Sequence, residues 1–271
     1  MVFIILIKYF TDAEIQELLV QSDGELSDID DPDVENIPES TSDFRSGLEM
    51  PVCVCVCVCL KLSRTECLLI DEQMMPFSGR CPPYETILTI EAKPCAIKKI
   101  CTCCTRWACL DFLIYTGTDT VPVEDKQLYG LGGAVAKNSI ATIPTEKVTH
   151  LFTDRYFTGL AILDYLVSRN VYLTGIVMTN RTDGVAESFP KDTCMERGSS
   201  VSRRREDIKA CLVKWKDKTS VLLLSSAFDI KPDGRGFADT CKRYAKEQRQ
   251  RVDVRQPAIE RSYNTYSKHI L

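Results

Sequence analysis

Cys67-Leu68-Leu69-Ile70-Asp71 and Val148-Thr149-His150-Leu151-Phe152-Thr153-Asp154 are the two stretches that decide the fold. Each is a short apolar run of strand-favouring residues that ends on an aspartate. The reading places Asp71 and Asp154 just past the ends of two buried strands. A sheet can present strand-end carboxylates side by side, where they suit hard divalent cations. Two such cations about 3.5–4 Å apart activate the attacking oxygen and stabilise the leaving oxygen in phosphoryl transfer. The competing reading is two aspartates that merely form turns.

Working outward, Ala96–Thr102 and Trp107–Tyr115 are strand-like, rich in Ile, Cys and aromatics. Gly130–Gly133 reads as a turn. Thr158 is placed to cap a helix that carries Leu160, Leu163, Leu166 and Val167 on one face, and Val171–Met178 reads as a strand. Cys211–Trp215 and Val221–Ser225 form a hairpin around Lys216-Asp217-Lys218. The basic stretch 231–256 is read as containing a helix from Ala238 to Arg249. Strands alternating with helices make an α/β chain.

Other constellations compete for function. Gly130-Leu131-Gly132-Gly133 lacks the Lys-Ser/Thr that closes a phosphate loop, so a tight turn is the better reading. Cys101, Cys103, Cys104 and Cys109 lack paired zinc-ligand spacing, and His150 and His269 are the only histidines. These cysteines are read as buried strand residues. Arg203-Arg204-Arg205 reads as a solvated loop, with nucleic-acid contact left open.

The chain has 271 residues, 44% of them hydrophobic, which is enough for a real core. The net charge of −4 hides a split. Residues 1–50 carry 13 acids against Lys8 and Arg45, a net of −11. The other 221 residues carry 32 basic and 25 acidic side chains, a net of +7, which suits a polyanionic partner. Thr11-Asp12-Ala13-Glu14 fits a capping box for a short helix. The acidic, Pro-containing stretch from Gln21 to Met50 reads as disordered.

Cys53 to Cys59 is a strict Val-Cys alternation. It reads either as a strand with thiols on one face or as a translated GT dinucleotide repeat, since GTG encodes Val and TGT encodes Cys. No apolar run approaches the roughly 20 residues that span a bilayer, so no membrane partner is expected. With no secretory leader recognised, the 14 cysteines are read as reduced thiols.

Ile70-Asp71-Glu72-Gln73-Met74-Met75-Pro76-Phe77-Ser78-Gly79-Arg80-Cys81-Pro82 resembles the first signature block of piggyBac-type transposases. Phe112–Gly117 and Leu128–Val135 resemble the family's next strand and its Gly-containing helix entry. Phe152-Thr153-Asp154-Arg155-Tyr156-Phe157-Thr158 resembles its second acidic block. Thr174–Arg181 and Val213–Asp217 follow in the family's order. The resemblance runs from Cys67 to about Leu271.

It implies an α/β fold with a ribonuclease-H-like mixed-sheet core, at 67–181 and 251–271, interrupted by an insertion domain at 182–250. Ahead of these lie an acidic segment at 1–50 and the Val-Cys segment at 51–66. It also implies cut-and-paste DNA strand cleavage and transfer with Mg²⁺ or Mn²⁺, acting on transposon ends and TTAA targets in the nucleus, with a homodimer possible. Asp71 and Asp154 match the first two of three catalytic, metal-binding aspartates. Ser262–His269 matches the approach to the third, which has no match in this sequence. The expectation is therefore a C-terminally truncated, catalytically inactive relative. The alternatives are a domesticated non-catalytic DNA-binding or interaction module, or a relic without selected function. Arg155 stands where the family has Asn, and a salt bridge from it to Asp154 is expected.

Overall fold

The computed structural model describes residues 65–76, 85–87, 95–104, 108–143, 146–207, 209–231, 240–245 and 249–267. The acidic segment, the capping box and the Val-Cys repeat lie outside the described residues. The elements are β1 (Cys67–Pro76), β2 (Glu85–Ile87), β3 (Cys95–Cys104), β4 (Cys109–Ile114), α1 (Val123–Ser139), β5 (Thr149–Thr153), α2 (Leu160–Ser168) and β6 (Val171–Ile176). They continue with β7 (Ser200–Arg204), β8 (Cys211–Lys216), β9 (Ser220–Ser225), β10 (Thr240–Ala245), β11 (Gln250–Arg255) and α3 (Ala258–Ser267).

Nine strands form one mixed sheet in the order β2-β3-β1-β5-β6-β9-β8-β7, with β4 beside β3. The mixed α/β class expected from the sequence is the one observed. β1 is central. It runs antiparallel to β3 and parallel to β5, and β5 runs parallel to β6. Parallel neighbours need a crossover, and α2 supplies it between β5 and β6. The β8–β9 hairpin joins the sheet through β9, which pairs antiparallel with β6.

Successive strand side chains point to opposite faces, so the sheet has two cores. Leu68, Ile70, Ile100, Leu151 and Leu173 pack with α1 and α2, where Ile162, Leu163 and Leu166 are sealed from solvent. Burying each such side chain contributes roughly 1.5–3 kcal/mol. On the other face, Leu69, Phe152, Val213 and Leu223 pack with Ile259 and Tyr263 of α3.

Several expectations need correction. The strand that starts at Cys67 does not stop before Asp71. It continues to Pro76, because β3 goes on pairing with it from Asp71↔Cys101 to Pro76↔Ala96. Gly130–Gly133 is not a free turn but lies within α1, which breaks only at Gly130, where φ is 69°. Thr158 does not cap α2. The N-cap is Gly159, and the Thr158 hydroxyl donates to the Asp154 carbonyl at 2.7 Å instead.

The expected helix at Ala238–Arg249 is absent where the chain is described. Thr240–Ala245 is a strand paired with Gln250–Arg255. Its side chains alternate between half-buried Cys241 and Arg243 and exposed Lys242 and Tyr244, a period of two that a helix cannot satisfy.

The turn after β5 is packed against Gly175 of β6. A Cβ there would lie 2.2 Å from Thr158 Oγ1 and 2.4 Å from the Thr153 carbonyl oxygen. Neither atom can move freely, because Thr153 and Thr158 share a buried hydroxyl hydrogen bond of 2.8 Å. Gly175→Ala is therefore expected to destabilise the protein by about 1–3 kcal/mol through overpacking. Urea unfolding checks this, and an unchanged midpoint would contradict the packing described.

Candidate active site

β1 and β5 pair in parallel register from Cys67↔His150 to Ile70↔Thr153. One step further along the same register brings Asp71 beside Asp154. β5 ends at Thr153, so Asp154 opens a turn, whereas Asp71 stays fixed between its neighbours because β3 extends the pairing on the other side. The alternation that sends Leu68 and Ile70 to the helix-covered core sends Leu69 and Asp71 toward α3.

The Asp154 carboxylate is held from within its own turn. Its Oδ1 accepts the Tyr156 amide at 2.8 Å, and its carbonyl accepts the Thr158 amide at 3.2 Å. This is the local hydrogen-bonding geometry that favours aspartate at such a position. Arg181 closes the turn from outside by donating to the Tyr156 carbonyl. The expected Arg155–Asp154 salt bridge is not formed. Arg155 is exposed, and the described ion pairs do not include it, because the turn directs its side chain to solvent.

The surroundings disfavour an ionised Asp71. Burial pushes the Asp71 carboxyl up to about 6, and the neighbouring charges of Asp154 and Glu72 add to it. The Glu72 amide, donating to the carboxylate, opposes the shift. From α3, the Tyr263 phenol is pushed up to about 12, first by burial and then by the Asp154 charge, with Glu260 and Asp71 adding to it. Tyr263 thus faces both aspartates. Glu260, one turn earlier, is buried, with Asn264 Nδ2 donating to its Oε1 at 2.6 Å and an Arg243 Nη2 3.9 Å away.

Sequence reading missed Tyr263 near the two aspartates and the buried Glu260 one turn before it. Their spacing of three on an apolar-faced helix was the available signal. Glu72 points the other way and pairs with Lys98 at 2.7 Å.

The cysteines sit where strand residues were expected. Cys101 and Cys104 are buried and Cys103 and Cys109 half-buried, on β3 and β4. Hydrogen bonds with Cys103 and Cys109, with burial, push the Cys101 thiol well above the usual range; at Cys103 the hydrogen bond with Cys101 lowers the value, but the one with Cys109 and burial outweigh it. Among the described residues, no group of three or more His, Cys, Asp or Glu side chains is arranged to hold a metal ion. Asp71 and Asp154 are the two acids that the strand register brings together here, and the Asp154 charge acts on Asp71. Their all-oxygen donors and mutual repulsion fit a hard cation such as Mg²⁺ or Mn²⁺, which would relieve that repulsion.

The sequence model described as "Transposase IS4" matches residues 58–270, a span that contains both aspartates and every described element. The chain belongs to this transposase family. Its curated relatives include the human PiggyBac transposable element-derived protein 3, 28% identical over 207 residues, which are 72% of this chain and 32% of that protein. The human PiggyBac transposable element-derived protein 2 is 28% identical over 115 residues, 42% of this chain and 19% of that protein. The chain thus spans a third or less of the length of these piggyBac relatives. In three dimensions it is similar to a piggyBac transposase solved by cryo-EM in a synaptic complex with hairpin DNA. The TM-score is 0.61 at 20% identity, over 84% of this chain and 45% of that one. That likeness is one of fold, and the ribonuclease-H-like core expected from the resemblance agrees with it.

The Asp71 shift makes a stability prediction. Its folded value lies above its ordinary 3.8, so the folded state binds the proton more tightly than the unfolded chain does. Stability should fall as pH rises from about 4 to about 6, and the full cost persists above that. Asp71→Asn is expected to stabilise the metal-free protein at pH 7.5 by about 1 kcal/mol, discounted for partial solvent exposure, and to give no gain at pH 4. Chemical denaturation in chelator at both pH values checks the sign.

Proposed function

We propose that this chain carries part of the catalytic core of a piggyBac-type transposase, whose chemistry is metal-dependent cleavage and transfer of DNA strands. The observation that carries this reading is the β1–β5 register, which sets Asp71 and Asp154 side by side. In this reading both carboxylates are metal ligands. A bound divalent cation would supply Lewis-acid activation of a phosphodiester and its attacking oxygen. The chain's own part is to hold the ligands: strand pairing fixes Asp71, and the Tyr156 amide orients Asp154. Tyr263 and the apolar residues of α3 limit water on that face.

DNA is the proposed partner. A fold neighbour was solved with hairpin DNA, and the body of the chain beyond residue 50 is net positive. Transposon ends, TTAA targets, a homodimer and a nuclear location belong to the same reading.

Two carboxylates without a third hold a divalent cation loosely, about millimolar. The 271-residue polypeptide on its own is therefore expected to bind DNA without nicking it. The second reading, a non-catalytic DNA-binding module, needs only the net positive body beyond residue 50. A strand-nicking assay on transposon-end DNA with Mg²⁺ or Mn²⁺ separates the two. Metal-dependent nicking that Asp71→Ala abolishes would establish a working nuclease and reject the module. Duplex binding should weaken at least tenfold between 50 and 200 mM salt, as phosphate contacts exchange with counterions. Salt-independent binding, or none, would remove DNA from the reading.

A further inference from the structure

β10 and β11 form a two-stranded ribbon separate from the main sheet, and its two faces are chemically unlike. The inner face is anchored. Val254 is buried, and Trp215 Nε1 donates to the Arg255 carbonyl at 2.8 Å. Arg243 pairs with Asp217 at 3.3 Å, with its guanidinium 5.9 Å from the Trp215 ring centre.

The outer face presents Thr240, Lys242 and Tyr244 from β10 against Arg255, Asp253 and Arg251 from β11, in direct cross-strand register. All six are exposed, and Tyr244 is 52% exposed. Arg251 stands opposite Tyr244, and Lys242 lies two residues along on the same face. Among the described residues, no ion pair engages Lys242, Arg251 or Arg255. The face therefore offers three free cations and one acid over about 13 Å of strand, with an aromatic ring at one end.

We propose that this outer face docks an unpaired nucleic-acid strand, with the cations on its phosphates and Tyr244 stacked on a base. Charge complementarity selects a polyanion, and the exposed ring selects one with planar groups to stack on it. A duplex keeps its bases stacked inside, so a ring on a flat ribbon face meets a base only where pairing is broken. Base–aromatic stacking is tolerant of sequence and contributes about 1–3 kcal/mol per base. The inference deepens the DNA reading above and rests on it, but it needs neither metal nor cleavage.

The test is fluorescence anisotropy with the full 271-residue chain in chelator, using a labelled 12-nucleotide oligo-dT and a labelled 12-base-pair duplex. Tyr244→Ala should weaken oligo-dT binding about tenfold and duplex binding less than twofold, while Tyr244→Phe retains both. Arg251→Glu should weaken both. Tyr244 is exposed and partnerless among the described residues, so its replacement is expected to leave the fold intact, which circular dichroism checks. If the wild-type chain binds DNA but Tyr244→Ala changes neither affinity, or lowers both equally, the ribbon assignment fails and the DNA reading stands. If poly-glutamate competes as well as oligo-dT, the face is a general anion patch and the assignment also fails. If the wild-type chain binds neither oligonucleotide, the DNA reading falls and takes this inference with it.

Discussion

The pairing of β1 on both edges is the constraint on which the rest of the structure depends. Parallel pairing with β5 sets Asp71 beside Asp154, and antiparallel pairing with β3 keeps β1 extended past the point where β5 has turned away. A slip of one residue against β5 would reverse the faces of Leu68, Leu69 and Ile70 relative to their neighbours. It would move apolar side chains out of both cores and turn Asp71 under the helices. The register of the carboxylate pair is therefore held by the same burial that stabilises the fold. The site needs no separate device to align it along the strands.

What remains is the direction of Asp154, which lies past the end of its strand. There the fold relies on polar contacts in place of strand pairing. The Tyr156 amide, the Thr153–Thr158 hydroxyl pair and Arg181 together define one short turn. That turn sits on the Cα of Gly175, so a residue of the neighbouring strand, paired with Thr153, limits how the carboxylate can move. The charge cost at Asp71 shows the opposite tendency, since burial beside another acid destabilises the ionised form. A site that is geometrically fixed and electrostatically unfavourable when empty is suited to a cation.

Much of this was legible in the sequence where an apolar run and a chemically distinctive residue coincided. Leu68-Leu69-Ile70 and Leu151-Phe152 are strands under any reading, and each leads into its aspartate. The misread parts are those in which local preference and tertiary context disagree. Residues 238–249 include Ala, Lys, Glu, Gln and Arg, all good helix formers, yet Cys241 and Arg243 face inward toward Trp215 and Asp217 while Val252 and Val254 supply the partner strand. Pairing partners distant in sequence decide such a segment, and propensity cannot register them. The length of β1 was misjudged for a related reason: Asp71, Glu72 and Gln73 are polar, and only β3 alongside keeps them in a strand.

The same contrast explains why Tyr263 beside the site, and the buried Glu260 one turn before it, went unread. The pattern of α3 shows which residues turn inward, but not what they meet. Its inward face is shared between an apolar core, where Ile259 packs, and a charged one, where Tyr263 feels both aspartates. Tyr263 suits that boundary because its ring fills the core while its hydroxyl reaches the polar edge. Glu260 is tolerated nearby because Asn264 hydrogen-bonds it and Arg243 faces it from the ribbon. Arg243 thus belongs at once to the inner face of β10 and to the surroundings of a helix that lies over the carboxylates.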